Sequence, residues 1–194
     1  LPKRCPSCNT DLVKIEGEAI LRCTMGLDCP AQRIGALIHF VSRNALNIDG
    51  LGERIIELLV DKNLVLNFAD LFRLEIKDIV DLEGFGEKSA TNLIRSIQES
   101  RETTLPRFIY SLGIREVGEA TAMNLALNFN NITNFLSAKE DDLLEINDIG
   151  PVASNFIKEF LAIEENINLV EDLITLGVNP KAVEIKGDNP FSSK

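Results

Sequence analysis

All four cysteines of this 194-residue chain lie near its N-terminus, with a spacing typical of a metal site. Cys5 and Cys8 form a Cys-x2-Cys pair whose turn is shaped by Pro6, and Cys23 and Cys29 supply a looser second pair. Four thiolates with no spare cysteine indicate a closed tetrahedral Zn²⁺ site, in which no coordination position is left for water. We therefore expect a structural zinc ion and no metal catalysis.

Two alternatives stay open for these cysteines. Iron also binds four thiolates, and the softness of the ligands alone does not separate it from zinc. Two disulfides are the other alternative, although nothing in the sequence indicates secretion. Between the two cysteine pairs, residues 12–16 and 18–22 are separated by Gly17 and predict a short β-hairpin.

The rest of the chain offers no constellation of catalytic side chains. The only histidine, His39, lies in an apolar helical stretch, where a histidine satisfied by its neighbours fits better than a fifth ligand or a base. The sequence contains no Ser/His/Asp set, no Walker-type Gly-x4-Gly-Lys-Ser/Thr motif and no supported pair of carboxylates. We expect no catalytic residue in this chain.

A five-residue pattern recurs four times, at residues 48–52, 82–86, 114–118 and 146–150. Each copy is an apolar residue, two turn-forming or polar residues, an apolar residue and a glycine. The final glycines are 34, 32 and 32 residues apart. A nearly constant period of this length indicates repeated supersecondary units, none of which buries its apolar face alone.

Helical periodicity surrounds the copies. After Gly86 and after Gly150, apolar residues recur at the i, i+3, i+4, i+7 spacing of one helix face. Before the fourth copy, Ser137 and Glu140 form a capping box that predicts a helix running to Leu144. The sequence therefore predicts the order helix, tight hairpin, helix in each unit.

The final glycine of each copy marks the junction between the turn and the second helix. We expect this glycine to supply either a positive φ or a close backbone approach. The free amides and the dipole of a helix N-terminus make such a junction a phosphate site. Three copies are followed by small residues, whereas the first has Arg54-Ile55-Ile56, so Gly52 is expected to serve packing.

Candidate phosphate-binding residues follow from this pattern, together with the cations beside two hairpins. They are Gly84, Gly86, Lys88, Ser89, Arg115, Gly118, Thr121, Gly150 and Ser154.

The composition favours a mainly α-helical protein with a modest affinity for polyanions. The net charge is −10, and residues 119–194 carry thirteen acidic against five basic residues. Five cations gather between residues 88 and 115. Because basic patches usually supply non-specific nucleic-acid affinity, we expect weak binding that relies on backbone amides. No apolar run approaches the ~18 residues of a membrane span and no leader is present, so we expect a cytoplasmic protein.

With these residues the chain resembles the C-terminal half of bacterial NAD⁺-dependent DNA ligases. The resemblance includes the Cys5-Pro6-x-Cys8 knuckle, the Asp49-Gly50-Leu51-Gly52 hairpin and residues 112–122, whose sequence is highly specific to that family. It implies a four-cysteine zinc finger at 1–32 and an all-α domain of four helix-hairpin-helix motifs at 33–186. Residues 187–194 resemble a linker and the opening of a BRCT domain.

The resemblance implies that the chain is the duplex-DNA-binding portion of a ligase that seals nicks in replication and repair. We expect a monomer that binds nicked duplex DNA without sequence preference, since contacts to phosphate carry no base information. The family's NAD⁺ and Mg²⁺ are expected to act in the parent enzyme only and not to bind here. The alternatives are a metal-stabilised helical scaffold for protein interaction and an iron-dependent electron carrier.

The chain alone should neither seal nicks nor form an adenylated lysine with NAD⁺. The family's Lys-x-Asp-Gly motif is absent from these residues, and nucleophilic catalysis needs an activated group beside a positioned substrate. Mass spectrometry after incubation with NAD⁺ and Mg²⁺ tests this expectation. A lysine carrying an added AMP would show it to be wrong.

Overall fold

The computed structural model describes residues 2–184, and the predicted BRCT opening at 187–194 lies outside them. The described part is mainly helical, with eleven α-helices and two short pairs of strands. No helix in this range is both long and apolar enough to cross a lipid bilayer.

The N-terminal module is a small hairpin followed by a tight turn. Strands β1 (Val13–Lys14) and β2 (Leu21–Arg22) pair antiparallel, with Val13 opposite Arg22. Gly17 lies in the connecting turn with a φ of 86°. A 3-10 helix at Gly26–Asp28 completes the module. The β-hairpin predicted between the cysteine pairs is thereby confirmed.

The helices follow without interruption by other large elements. In chain order they are α1 Pro30–Val41, α2 Glu53–Asp61, α3 Phe68–Leu71, α4 Ile76–Ile79, α5 Glu87–Glu99, α6 Leu105–Ser111, α7 Glu119–Phe129, α8 Ile132–Leu136, α9 Glu140–Leu144, α10 Pro151–Ala162 and α11 Glu164–Thr175. Strand β3 (Glu102–Thr104) precedes α6 and pairs in parallel with β4 (Asn179–Lys181), which follows α11. The last described residues thus return to the middle of the chain.

Each recurring pentapeptide connects two helices by a tight turn. We call them hairpin 1 (residues 48–52, α1 to α2), hairpin 2 (82–86, α4 to α5), hairpin 3 (114–118, α6 to α7) and hairpin 4 (146–150, α9 to α10). In every hairpin the fourth residue donates its amide to the carbonyl of the first, at 3.5, 3.0, 3.1 and 3.2 Å respectively. The turns predicted from the pattern are therefore present in all four places.

The helices form two halves with the same order. In α2–α5 and again in α7–α10, two short helices connect two longer ones. The side chain of Asn67 caps α3 by accepting the Asp70 amide at 3.1 Å, and Asn131 caps α8 by accepting the Asn134 amide at 2.8 Å. The larger repeat therefore consists of two hairpins and their helices, a level of organisation that the 32-residue spacing alone did not predict.

The predicted capping box at Ser137 is wrong. Helix α9 begins at Glu140 with Lys139 as its N-cap, and the Asp142 carboxylate accepts the Lys139 amide at 3.1 Å. Ser137 instead follows α8, where its hydroxyl donates to the Thr133 carbonyl at 3.2 Å. The pattern failed because the short helix α8 was not anticipated and occupies the residues before the box.

A single apolar core runs through both halves, from Leu37 to Val178. Phe40 of α1 is fully buried and stacks on Phe68, with ring centroids 4.4 Å apart. Burying a side chain of this size contributes about 2 kcal/mol. On the other side of α1, Nε2 of His39 donates to the Tyr110 carbonyl at 2.7 Å, which confirms the expected satisfied helix histidine. Helix α1 therefore contacts both the first half and α6, the helix that leads into the second half.

The two asparagine caps should contribute equally to stability. We expect Asn67→Ala and Asn131→Ala each to lower the free energy of unfolding by about 1 kcal/mol, because each leaves a first-turn amide without its acceptor. Urea denaturation followed by circular dichroism measures the change. The control is Asn168→Ala, an exposed position in α11 that should not destabilise. Equal midpoints for all three variants would contradict the capping role.

Candidate metal centre and nucleic-acid interface

The four cysteine sulfurs converge on one point. All four Sγ atoms lie within 4.8 Å of one another, with 3.8 Å between Cys5 and Cys29 and 3.5 Å between Cys8 and Cys23. A zinc ion with Zn–S bonds of about 2.3 Å needs its four sulfurs about 3.8 Å apart. The cysteines are unpaired, so the two-disulfide alternative is wrong. The sulfur arrangement fits a tetrahedral metal ion.

The ionisation of these thiols also favours a cation. Hydrogen bonds with the side chain and the backbone of Thr10 lower the pKa of the Cys8 thiol to about 6. At Cys23 a hydrogen bond with the Met25 backbone lowers the pKa, but desolvation and the neighbouring sulfurs outweigh it and raise the value to about 12. One thiolate therefore opposes the ionisation of a second thiol. A divalent cation among the sulfurs removes this opposition.

The metal centre is fastened to helix α1. Cys29 is fully buried and is the N-cap residue of α1. Nε2 of Gln32 donates to the Cys23 carbonyl at 2.6 Å, and the Ala31 amide donates to Oγ of Ser7 at 3.2 Å. The first turn of α1 thus holds the loops that carry the sulfurs.

The final glycine of each hairpin has ordinary extended backbone. These glycines are the N-caps of the long helices, with φ of −76° at Gly52, −142° at Gly86, −85° at Gly118 and −86° at Gly150. The expectation of a positive φ at this position is wrong. A Cβ at any of the four would meet nothing within 4 Å, so the junctions are open to the outside. Gly52 is as open as the others, which removes the basis for assigning it to packing.

Positive φ occurs two residues earlier, in the middle of each turn. The values are 88° at Gly50, 85° at Gly84, 63° at Glu116 and 66° at Asp148. Hairpins 1 and 2 place a glycine there, which adopts this conformation without a steric penalty. Hairpins 3 and 4 use non-glycine residues, so their turns depend more on the surrounding contacts.

The helices behind the hairpins begin without side-chain caps. Helices α2, α7 and α10 have no side-chain hydrogen bond at their N-caps. In α5, Oγ of Ser89 accepts the Gly86 amide at 2.9 Å, which leaves the amides of the first turn itself without partners. The connecting helices α3 and α8 are instead capped by asparagine. Helices α6 and α11 also begin without a side-chain cap hydrogen bond, so the helices behind the hairpins are distinguished by combining free first-turn amides with a glycine N-cap.

Cations border hairpins 1 and 2. Lys88 is exposed and makes no ion pair within residues 2–184. Arg54 occupies the same position after Gly52 as Lys88 does after Gly86, and its guanidinium lies 3.1 Å from where a Cβ of Gly84 would be. Arg54 was not among the residues predicted to bind phosphate, because the small residues that mark the other three copies are missing after Gly52. The shared Gly-Glu-Arg and Gly-Glu-Lys spacing was the available signal.

The fourth residue after each final glycine faces the core. Ala90 and Ala122 are fully buried, and Ser154 is only 1% exposed. Helix geometry turns this position inward, so the Ser154 side chain does not face a ligand, and a role of Ser154 in DNA binding stays a prediction. The residues one position earlier in the helices are more exposed to solvent: Ser89 is exposed and Thr121 is half-buried. Small residues at the fourth position permit close helix packing and do not face a ligand.

The Arg115 side chain is held by contacts with other residues of the protein. Its guanidinium forms an ion pair with Glu18 of the N-terminal module. It also lies over the ring of Phe156 in α10, 4.8 Å from the ring centroid. The side chain is one-third exposed, in contrast to Lys88. The expectation of a direct phosphate contact from Arg115 does not agree with these contacts.

Comparison with known proteins matches both parts of the chain. Residues 4–31 match the family described as the NAD-dependent DNA ligase C4 zinc finger domain. Residues 42–99 match a SAM-like helix-hairpin-helix tandem, and residues 107–170 match a helix-hairpin-helix motif. A DNA ligase from Hahella chejuensis (strain KCTC 2396) is 48% identical over 185 residues. That alignment covers 95% of this chain and 27% of the relative, so the chain spans about a quarter of its length.

These matches confirm the resemblance to NAD⁺-dependent DNA ligases, and with it a four-cysteine finger followed by helix-hairpin-helix regions. The two helix-hairpin-helix matches coincide with the two structural halves. They do not count individual motifs, so the number of four stays a prediction.

Removing one sulfur should release the metal. We expect Cys8→Ser to lose bound zinc and to unfold residues 2–30, since metal binding supplies the folding energy of so small a module. The helical residues 33–184 should stay folded, because their core is separate and larger. Elemental analysis and amide chemical shifts measure the two effects, with Lys14→Ser, at an exposed position of β1, as the control. Wild-type protein purified without zinc or another metal would contradict the assignment.

Proposed function

We propose that this chain is the non-sequence-specific duplex-DNA-binding portion of an NAD⁺-dependent DNA ligase. The proposal rests on the ligase-type finger, the helix-hairpin-helix matches and the geometry of the hairpins. We propose that the bound duplex is nicked DNA, and that the parent enzyme as a whole seals the nick.

The open helix N-termini behind the hairpins carry the proposal. A phosphate group needs hydrogen-bond donors, a positive potential and room to approach the backbone. The uncapped first turns supply the donors and the helix dipole supplies the potential. The missing Cβ at each N-cap glycine supplies the room. Successive hairpins thus offer backbone contacts to successive phosphates, independently of the base sequence.

Charge limits the strength of this binding. Glu53, Glu87 and Glu119 are exposed first residues of their helices, directly after the N-cap glycines, and they oppose a phosphate there. Arg54 and Lys88 offset this repulsion at hairpins 1 and 2. Hairpins 3 and 4 have Ala120 and Val152 at the equivalent position. Together with a net charge of −10, this predicts a weak affinity.

The chemistry of ligation is assigned to other parts of the parent enzyme. The Lys-x-Asp-Gly motif does not occur in these 194 residues. We therefore propose that NAD⁺ and Mg²⁺ act outside this region, and that this region is a cytoplasmic, monomeric DNA-holding element. The metal-stabilised protein scaffold remains the competing function, and the experiment below separates the two.

Blocking one N-cap should weaken DNA binding without unfolding the protein. We expect Gly118→Leu to raise Kd for duplex DNA of any sequence about tenfold, or about 1.4 kcal/mol, because the side chain fills the approach to the first-turn amides. Its extended backbone and open surroundings predict an unchanged fold. Fluorescence anisotropy at low salt measures Kd for nicked and intact duplexes of two unrelated sequences, and circular dichroism checks folding.

The control for this substitution is Gly35→Leu, an exposed position in α1 where a side chain also meets nothing. Wild-type affinity in a folded Gly118→Leu variant would remove hairpin 3 from the interface. Wild-type protein that binds no duplex at low salt would favour the protein scaffold.

The two hairpin cations should each account for one released counterion. We expect Arg54→Ala and Lys88→Ala each to lower the slope of log affinity against log salt by about one. The control is Lys62→Ala, since this exposed lysine lies at the other end of α2 from Gly52. An unchanged slope for Arg54→Ala would show that hairpin 1 does not meet DNA, as the sequence pattern first suggested.

A further inference from the structure

Three parts of the molecule meet at the guanidinium of Arg115. The residue belongs to hairpin 3, its ion-pair partner Glu18 belongs to the N-terminal module, and the ring beneath it, Phe156, belongs to the helix behind hairpin 4. The Glu18 side chain is 18% exposed and Arg115 is 33% exposed. A partly desolvated ion pair is stronger than a surface pair, and a cation over an aromatic ring adds to it.

A second arginine also binds the Glu18 carboxylate and orients it. Nε of Arg22 donates to Oε2 of Glu18 at 2.6 Å, while Arg115 binds Oε1. Arg22 and Glu18 lie on the same β-hairpin of the N-terminal module. Their bond therefore orients the carboxylate without reaching the helices. Of the two bonds made by the Glu18 carboxylate, the one to Arg115 connects the module to the hairpins.

The surrounding contact is loosely packed. Beside the ion pair, an open groove lies between the module and the first turns of α10 and is lined by Ile15, Glu16, Val152, Asn155 and Phe156 among others. Across this groove few van der Waals contacts fix the orientation. The polar chain from Glu18 through Arg115 to Phe156 is then the principal constraint at this place.

We propose that Arg115 is a positioning residue that holds the zinc-binding module against hairpins 3 and 4 through Glu18 and Phe156. The proposal rests on the proposed DNA-binding function. Hairpin 3 has a non-glycine residue, Glu116, at its positive-φ position, so anchoring its neighbour Arg115 also preserves the turn. An interface held in one arrangement loses less conformational entropy when it binds a duplex.

This role and a direct phosphate contact predict opposite effects of one substitution. If Arg115 binds phosphate, removing the competing Glu18 charge frees it, and Glu18→Gln binds DNA more tightly. If Arg115 positions the module, Glu18→Gln weakens binding, even though the variant is less acidic. The sign of the change distinguishes the two roles.

The binding experiment uses the full chain with four variants. We expect Glu18→Gln and Arg115→Gln each to raise Kd roughly fivefold, and the double variant to be no weaker than either single one, because both break the same contact. The salt slope should fall by less than one for Arg115→Gln. Glu16→Gln is the matched control, since it removes an exposed carboxylate of the same β-hairpin that forms no ion pair within residues 2–184.

A distance measurement tests the arrangement without DNA. Spin labels on keto amino acids at Ile20 of the module and Asn128 of α7, both exposed, avoid the four cysteines. We expect a narrow distance distribution in the wild type and in Glu16→Gln, and a broader one in Glu18→Gln and Arg115→Gln.

Each outcome decides one question. Unchanged distance distributions in Glu18→Gln and Arg115→Gln overturn the positioning role. Tighter binding by Glu18→Gln, or a salt slope lowered by about one in Arg115→Gln, overturns it in favour of phosphate contact. Wild-type protein that binds no duplex contradicts the proposed function, while the distance measurement still tests the positioning role by itself.

Discussion

The amides at the start of a helix have no partners within that helix, and this constraint organises the whole chain. The connecting helices α3 and α8 meet it with asparagine side chains. The four helices behind the hairpins do not, and they begin at glycines that leave the approach open. Each hairpin is therefore built around donors that the protein itself leaves unused. Phosphate is the ligand that such donors suit best, and under the proposed function they allow an acidic protein to bind a polyanion.

Both halves contain hairpins followed by helices with open glycine N-caps, but the charges beside these hairpins differ. Arg54 and Lys88 stand beside hairpins 1 and 2, whereas Ala120 and Val152 take their place at hairpins 3 and 4. Under the proposed function, long-range attraction comes mainly from the first half, and the second half contributes backbone contacts at short range. The parallel pairing of β3 with β4 and the shared core hold the halves together. Under the same proposal, their relative arrangement selects the shape of a duplex, not its sequence.

The metal centre takes part in this arrangement through two connections. Cys29 caps α1, whose other end leads into hairpin 1. Glu18 reaches Arg115 in hairpin 3. A module of about thirty residues has little core of its own, so four metal–sulfur bonds supply its rigidity. Under the two proposals, a rigid module braces hairpins from both halves, and a structural metal ion influences binding through this arrangement.

Short-range spacing determined much of this protein from sequence alone. The cysteine spacing predicted the metal centre, and the apolar-x-x-apolar-Gly pattern predicted the tight turns, because both depend on residues a few positions apart. The side chains of Ser154 and Arg115 could not be placed in this way. Ser154 lies inward because of the phase of α10 relative to the core, and Arg115 is held by Glu18 and Phe156, which are distant in sequence. The openness of Gly52 and the role of Arg54 likewise depend on what neighbouring hairpins leave uncovered. Tertiary structure decides such features, because packing between distant segments sets which donors and charges remain free.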